Sequence, residues 1–94
     1  MDQPQIPSST APFFQEYNIS SLDVRRDAAL IIERILGYGN RVEVQWLLAT
    51  YGRQALRDWV ARAGIRRLSW RRFHLWCLVF EIPVPEKTEG IWPH

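Results

Sequence analysis

The chain has one cysteine, Cys77, and two histidines, His74 and His94. A lone thiol cannot close an intramolecular disulfide, and so few soft donors exclude the four-ligand set of a structural zinc; no metal and no cofactor are expected. Lysine is equally scarce: Lys87 is the only one, so positive charge rests almost wholly on arginine. No run approaches the ~18 uninterrupted apolar residues of a membrane span, and residues 1–12 lack the basic start and apolar stretch of a signal peptide. A soluble, cytoplasmic protein without membrane contact is expected. No segment alternates apolar and polar residues between hairpin turns, which leaves a β-sheet without support. Gly37 and Gly39 follow a helical pattern instead of joining a strand to a helix, so they do not form a phosphate loop.

What is present is enough for one folded domain. Of 94 residues 47% are hydrophobic and 23% charged, a globular balance, and five Trp, four Phe and three Tyr bring large rings to a small core. Three prolines fall in residues 1–12 and three in the last dozen, so residues 1–12 and 84–94 are expected as flexible tails around a single domain at 13–83. Phe13, Phe14 and Tyr17 in the first flank, and Ile91 and Trp92 in the second, are expected to fold back on the core or to dock on a partner.

Helix punctuation is regular between the tails. Ser20, Ser21 and Asp23 offer caps to a helix carrying the stripe Ile31, Ile32, Ile35 and Leu36, with Gly37 and Gly39 as its stop. Asn40 followed by Glu43 has the form of a capping box, after which Val44, Leu47, Leu48 and Tyr51 recur at helical spacing until Gly52. A third helix, from Arg53, carries Leu56, Trp59, Val60 and Ala63, is supported by an Asp58 to Arg62 pair, and should end at Gly64. After a basic connector, Ile65 to Leu68, Ser69 caps a fourth helix with Phe73, Trp76, Cys77 and Phe80, which Pro83 and Pro85 terminate. The reading is all-α: a compact bundle of about four short helices, its central pair resembling a helix-turn-helix in length and punctuation.

Enzyme chemistry finds little to work with. His74 and Cys77 are spaced three apart on one helix, but Cys77 sits in an apolar run that would raise its pKa, and no third residue orients His74. Asp23 and Asp27 are better read as first-turn acids that complement a helix dipole than as a metal or proton pair. No catalytic residue is expected.

The arginines are the informative set. Residues 1–52 carry four arginines against six acids, residues 53–72 seven arginines against one acid, and residues 73–94 one lysine against three acids. Arg53, Arg57, Arg62, Arg66, Arg67, Arg71 and Arg72, with Ser69 and Trp70, are the candidate partner- or phosphate-binding residues, because guanidinium groups suit two-pronged contacts to phosphate or carboxylate. Arg71 and Arg72 fall in the first turn of the fourth helix, where positive charge opposes the dipole; an anion bound at that helix start would compensate, the alternative being that these long side chains lie back over Trp70 or into water. Three partners fit: an acidic protein surface, DNA with Arg53 and Arg57 facing the major groove, or RNA.

A longer pattern carries a resemblance. Pro12-Phe13-Phe14, Leu22-Asp23, Ile31 through Gly39 (IIERILGYG), Trp46-Leu47, Tyr51-Gly52, Leu68-Ser69, Arg71 and the stretch Trp76 to Pro83 together resemble a family of small bacterial proteins encoded beside an AbiEii-type nucleotidyltransferase toxin. The likeness spans about residues 12–83. It departs from the pattern at Phe14 and Gln15, where the family has Trp and Asp, at Arg72, and in a longer connector around Gly64 and Ile65. The resemblance implies a non-enzymatic antitoxin in a two-gene toxin-antitoxin or phage-defence module that binds and restrains its cognate nucleotidyltransferase-like toxin. The alternatives are a helix-turn-helix regulator binding its own operator DNA and an RNA-binding adaptor.

Overall fold

The computed structural model describes residues 5–84, and every regular element among them is helical. Two 3-10 turns, Ser8–Phe14 and Ile19–Ser21, lead into α1 (Ala28–Tyr38), α2 (Arg41–Tyr51) and α3 (Arg53–Trp59). A π-helical turn (Val60–Gly64), α4 (Ile65–Arg67) and α5 (Trp70–Val79) complete the chain. No helix among the described residues is long and apolar enough to cross a membrane.

α1 buries the expected stripe of Ile31, Ile32, Ile35 and Leu36. It opens later than Ser20–Asp23, however, because the acids there make a turn of their own. The Asp23 carboxylate accepts the backbone N–H groups of Arg25 and Arg26, each at 2.8 Å, and the Asp27 carboxylate accepts that of Asp23 at 2.8 Å. Short polar side chains that satisfy nearby donors in this way compete with a continuous helix. Both carboxyls are held below their ordinary range, Asp23 chiefly by the Arg26 backbone N–H and Asp27 chiefly by the Arg26 guanidinium.

α2 begins as its sequence dictates. The Asn40 side chain accepts the Glu43 N–H at 2.9 Å and the Glu43 carboxylate accepts the Asn40 N–H at 2.8 Å, closing the capping box. Glu43 is buried, and Ser9 donates to its second oxygen at 2.6 Å, so the cap also holds the N-terminal 3-10 turn. At the other end Gly52, at φ +87°, is the one-residue joint to α3, a conformation that glycine adopts without steric cost. The Tyr51 phenol donates to the Val24 carbonyl at 2.7 Å and so ties the end of α2 to the turn before α1.

The third helix does not stop at Gly64. Gly64 is helical (φ −58°, ψ −39°) and buried, and residues 65–67, expected as a connector, add another helical turn. A Cβ at position 64 would stand 2.9 Å from Phe73 Cδ1 and 3.3 Å from Val60 Cγ1. This glycine lets α5 approach closely instead of ending a helix. The expected Asp58 to Arg62 pair is also absent: Asp58 accepts from Gln54 Nε2 at 2.8 Å, and the π turn that starts at Val60 breaks the i, i+4 alignment Arg62 would need.

α5 has its expected cap, Ser69 Oγ accepting the Arg72 N–H at 3.2 Å, and it buries Phe73, Trp76 and Cys77. It ends before Pro83, through a reversal at Glu81 (φ +57°) in which Ile82 N–H bonds to the Cys77 carbonyl at 2.8 Å and Glu81 N–H to that of Leu78 at 3.4 Å.

Residues 5–12 are not a tail. Ile6 and Thr10 are buried, and the Thr10 hydroxyl donates to the Pro7 carbonyl at 2.7 Å, so a proline- and serine-rich stretch is held by 3-10 turns and a few apolar anchors. Phe14 is fully buried and Phe13 packs partly on the core, whereas Tyr17 is exposed. Ile91, Trp92 and all of the C-terminal tail except Val84 lie outside the described residues.

Two sets of substitutions test this packing. Gly64→Ala should cost about 1–3 kcal/mol in chemical denaturation, because the added methyl would force the buried Phe73 ring to shift. Gly37→Ala, whose Cβ would meet only Leu68 Cδ2 at an ordinary 3.7 Å, should gain about 0.5–1 kcal/mol. Burial, reinforced by the charges of Asp23 and Asp27, pushes Tyr51 from 10.0 up to about 12. Folding therefore favours the protonated phenol: its contribution is complete below pH 10, the unfolded value, and is lost as pH rises toward 12. Denaturation midpoints taken at stepped alkaline pH should fall over that window in the native protein and fall less in Tyr51→Phe.

Candidate functional site: a basic groove

The helical rod from Arg53 to Arg67 decides where the arginines go. Its backbone stays helical throughout, but the π turn at 60–64 takes more residues per turn, so side chains five apart come nearer to one line than in an α-helix. Arg62, Arg66 and Arg67 accordingly line one groove of about 470 Å³ between this rod and α1. Its apolar lining is Ala29, Leu30, Ala63 and the edge of the buried Trp59. From α1 it receives Glu33 and Arg34, which makes four guanidinium groups against one carboxylate.

The pairing inside the groove is loose. Glu33 stands 3.8 Å from Arg34 Nε and 3.8 Å from Arg67 Nε, separations at which partly exposed pairs contribute little. Arg62 and Arg66 have no hydrogen bond or ion pair to the described residues. Glu33, Arg34 and Arg67 also line an adjoining concavity of about 380 Å³ that extends to Ser69 at the start of α5, so the basic groove is continuous with that helix end.

The other candidate residues are used differently. Arg53 donates to the Val79 carbonyl at 3.1 Å and lies over the Phe80 ring at 5.3 Å, and Arg57 Nε donates to the Phe80 carbonyl at 3.2 Å. Both therefore complement the C-terminal end of α5. Arg72 gives Nε to the Leu36 carbonyl at 2.9 Å and Nη2 to the Gly39 carbonyl at 3.0 Å, and its guanidinium covers the Trp76 ring at 5.6 Å. The compensation expected from a bound anion is met for Arg72 by the negative end of α1. Ser69 serves as the helix cap, Trp70 stacks on His74 with ring centroids 5.6 Å apart, and Arg71 is exposed with no hydrogen bond or ion pair to the described residues. The nine candidates thus fall in three places, and only Arg62, Arg66 and Arg67 share the groove.

Arg34 and Glu16 escaped the sequence reading. Arg34 clasps Glu16 with both terminal nitrogens, at 2.9 and 3.1 Å, and donates to the Phe13 carbonyl at 2.6 Å, which fastens the N-terminal segment to α1. That guanidinium holds the Glu16 carboxyl below the usual range. No local pattern announces a bond between residues eighteen apart. His74 and Cys77 part company: the histidine is exposed against Trp70, while Cys77 is fully buried and burial pushes its thiol up. Among the described residues no group of three His, Cys, Asp or Glu side chains is placed to hold a metal ion.

Fold and groove together define a small all-helical protein with a cationic cleft between its first helix and a π-interrupted rod. The chain belongs to the family of unknown function DUF6922, whose model matches residues 10–60, more than half of its length. No curated protein and no solved structure matches it.

Neighbouring arginines at the α5 start should respond oppositely to truncation. Arg72→Ala strips two hydrogen bonds from the α1 carbonyls and should cost about 1.5–3 kcal/mol in urea unfolding, whereas Arg71→Ala should stay within about 0.5 kcal/mol of the parent.

Proposed function

We propose that this chain is a non-enzymatic antitoxin that restrains a nucleotidyltransferase-like toxin in the cytoplasm by presenting the α1/rod groove to an acidic surface of that enzyme. The observation that carries the reading is Arg62 and Arg66: two guanidinium groups without a carboxylate among the described residues, flanking an apolar floor. Charged residues left unpaired beside partly exposed alanine and leucine side chains suit a protein partner that supplies both carboxylates and apolar contact. A nucleotidyltransferase must gather acids to hold Mg²⁺, and guanidinium groups placed there would occupy the position of the cation. The resemblance across residues 12–83 points to the same partner.

The helix-turn-helix reading receives less support. Its groove-facing residues would be Arg53 and Arg57, and both guanidinium groups are bonded to backbone carbonyls at the end of α5. An RNA adaptor would want exposed rings for base stacking, and Trp59, the ring at the groove, is buried.

Co-expression with an AbiEii-type nucleotidyltransferase from the same genome provides the test. The two proteins should elute together at a salt concentration that strips phosphate contacts, since a complex with an apolar centre survives screening. Arg62→Glu combined with Arg66→Glu should weaken the complex at least ~100-fold without changing the circular dichroism spectrum. Separate elution, together with a salt-sensitive shift of the promoter fragment that Arg53→Ala and Arg57→Ala abolish, would establish the regulator in its place.

A further inference from the structure

α5 leaves one face without a partner inside the described chain. Leu75, Leu78 and Val79 are 42%, 66% and 41% exposed, and they follow one another at helical spacing. Arg71 lies one turn before Leu75 and about two turns before Leu78 on the same side, in the first turn of the helix, where its charge opposes the dipole. Arg72 next to it is relieved by the α1 carbonyls, but Arg71 has no such relief among the described residues. At the far end of the stripe the Glu81 side chain is 86% exposed and reaches Arg53 only at 3.4 Å.

These features are complementary to themselves when one copy is turned end over end. With two α5 helices laid antiparallel about an axis between Leu75 and Leu78, each Leu75 faces Leu78 of the second copy and Val79 falls beside His74. Arg71 then approaches Glu81 of the second copy, at the end of that helix where positive charge is favoured. We propose that this face pairs with the same face of a second copy, as an isologous α5–α5 contact with Leu75 and Leu78 at its centre and an Arg71–Glu81 pair at each end. Three apolar side chains per copy fall short of the ~800 Å² per partner of a standard interface, so the association is weak and set by concentration.

Sedimentation equilibrium on the full chain, from low micromolar to millimolar protein, should show a mass rising from 11.1 kDa toward twice that value. Leu78→Glu places a carboxylate in the contact twice over and should raise the dissociation constant roughly 100-fold while leaving the helical spectrum intact. Arg71→Glu and Glu81→Arg should each weaken the pair, and the double exchange should restore it. A mass fixed at that of one chain up to millimolar concentration overturns the proposal, as does a dimer indifferent to Leu78→Glu and to the charge exchange. Methyl contacts from Leu78 to residues beyond Val84 in a strictly monomeric protein would assign the stripe to the chain's own C-terminal segment and overturn it as well.

Discussion

The carbonyl end of α1 is where this structure is held together. The Leu36 carbonyl accepts both the Trp76 indole N–H, at 2.8 Å, and Arg72 Nε, while the Gly39 carbonyl takes the second nitrogen of the same guanidinium. A helix terminus left dry would expose unpaired acceptors to the interior, and here a helix forty residues further along the chain supplies their donors. The contact sets the position of α5, which in turn brings Phe73 against Gly64 and closes the core over the rod. It also explains a cation in the first turn of α5: the charge that a helix start disfavours is welcome at the end of another helix.

That arrangement sorts the arginines by use. Arg72 stitches α5 to α1, Arg53 and Arg57 stitch α3 to the end of α5, and Arg34 stitches the N-terminal segment to α1. Arg62 and Arg66 do none of this among the described residues, and with Arg67 they line the groove between the rod and α1. Cationic density along the chain and cationic density in space are different quantities, because long side chains are drawn to whichever backbone carbonyl lies in reach.

Caps and apolar periodicity were legible in the sequence where cause and effect lie within one turn. Asn40 with Glu43, Ser69, Gly52 and the periodic apolar residues of α1, α2 and α5 all act on groups three or four positions away. Two failures are local, the Asp23 and Asp27 turn that delays α1 and the π turn that parts Asp58 from Arg62; the others originate in distance. Gly64 has the look of a helix stop, yet its lack of a side chain answers to Phe73, nine residues on. Ile6 and Thr10 sit in a stretch composed like a tail, and are ordered through contacts with helices that come later, including the Ser9 bond to Glu43. The basic groove was legible in part: Arg62, Arg66 and Arg67 stood among the candidates, but Glu33 and Arg34, which complete it, come from a helix chosen for its apolar stripe.

The match to the family ends at residue 60, and the core does not. Leu68, Phe73, Trp76, Cys77 and Phe80, all buried, belong to the portion after that boundary, and Ile6 to the portion before it. The stretch that defines kinship is therefore narrower than the stretch that folds. A fragment trimmed to the matched region would keep α1, α2 and α3 and lose the layer that covers them, so the matched span and the span that shares one core are not the same piece of chain.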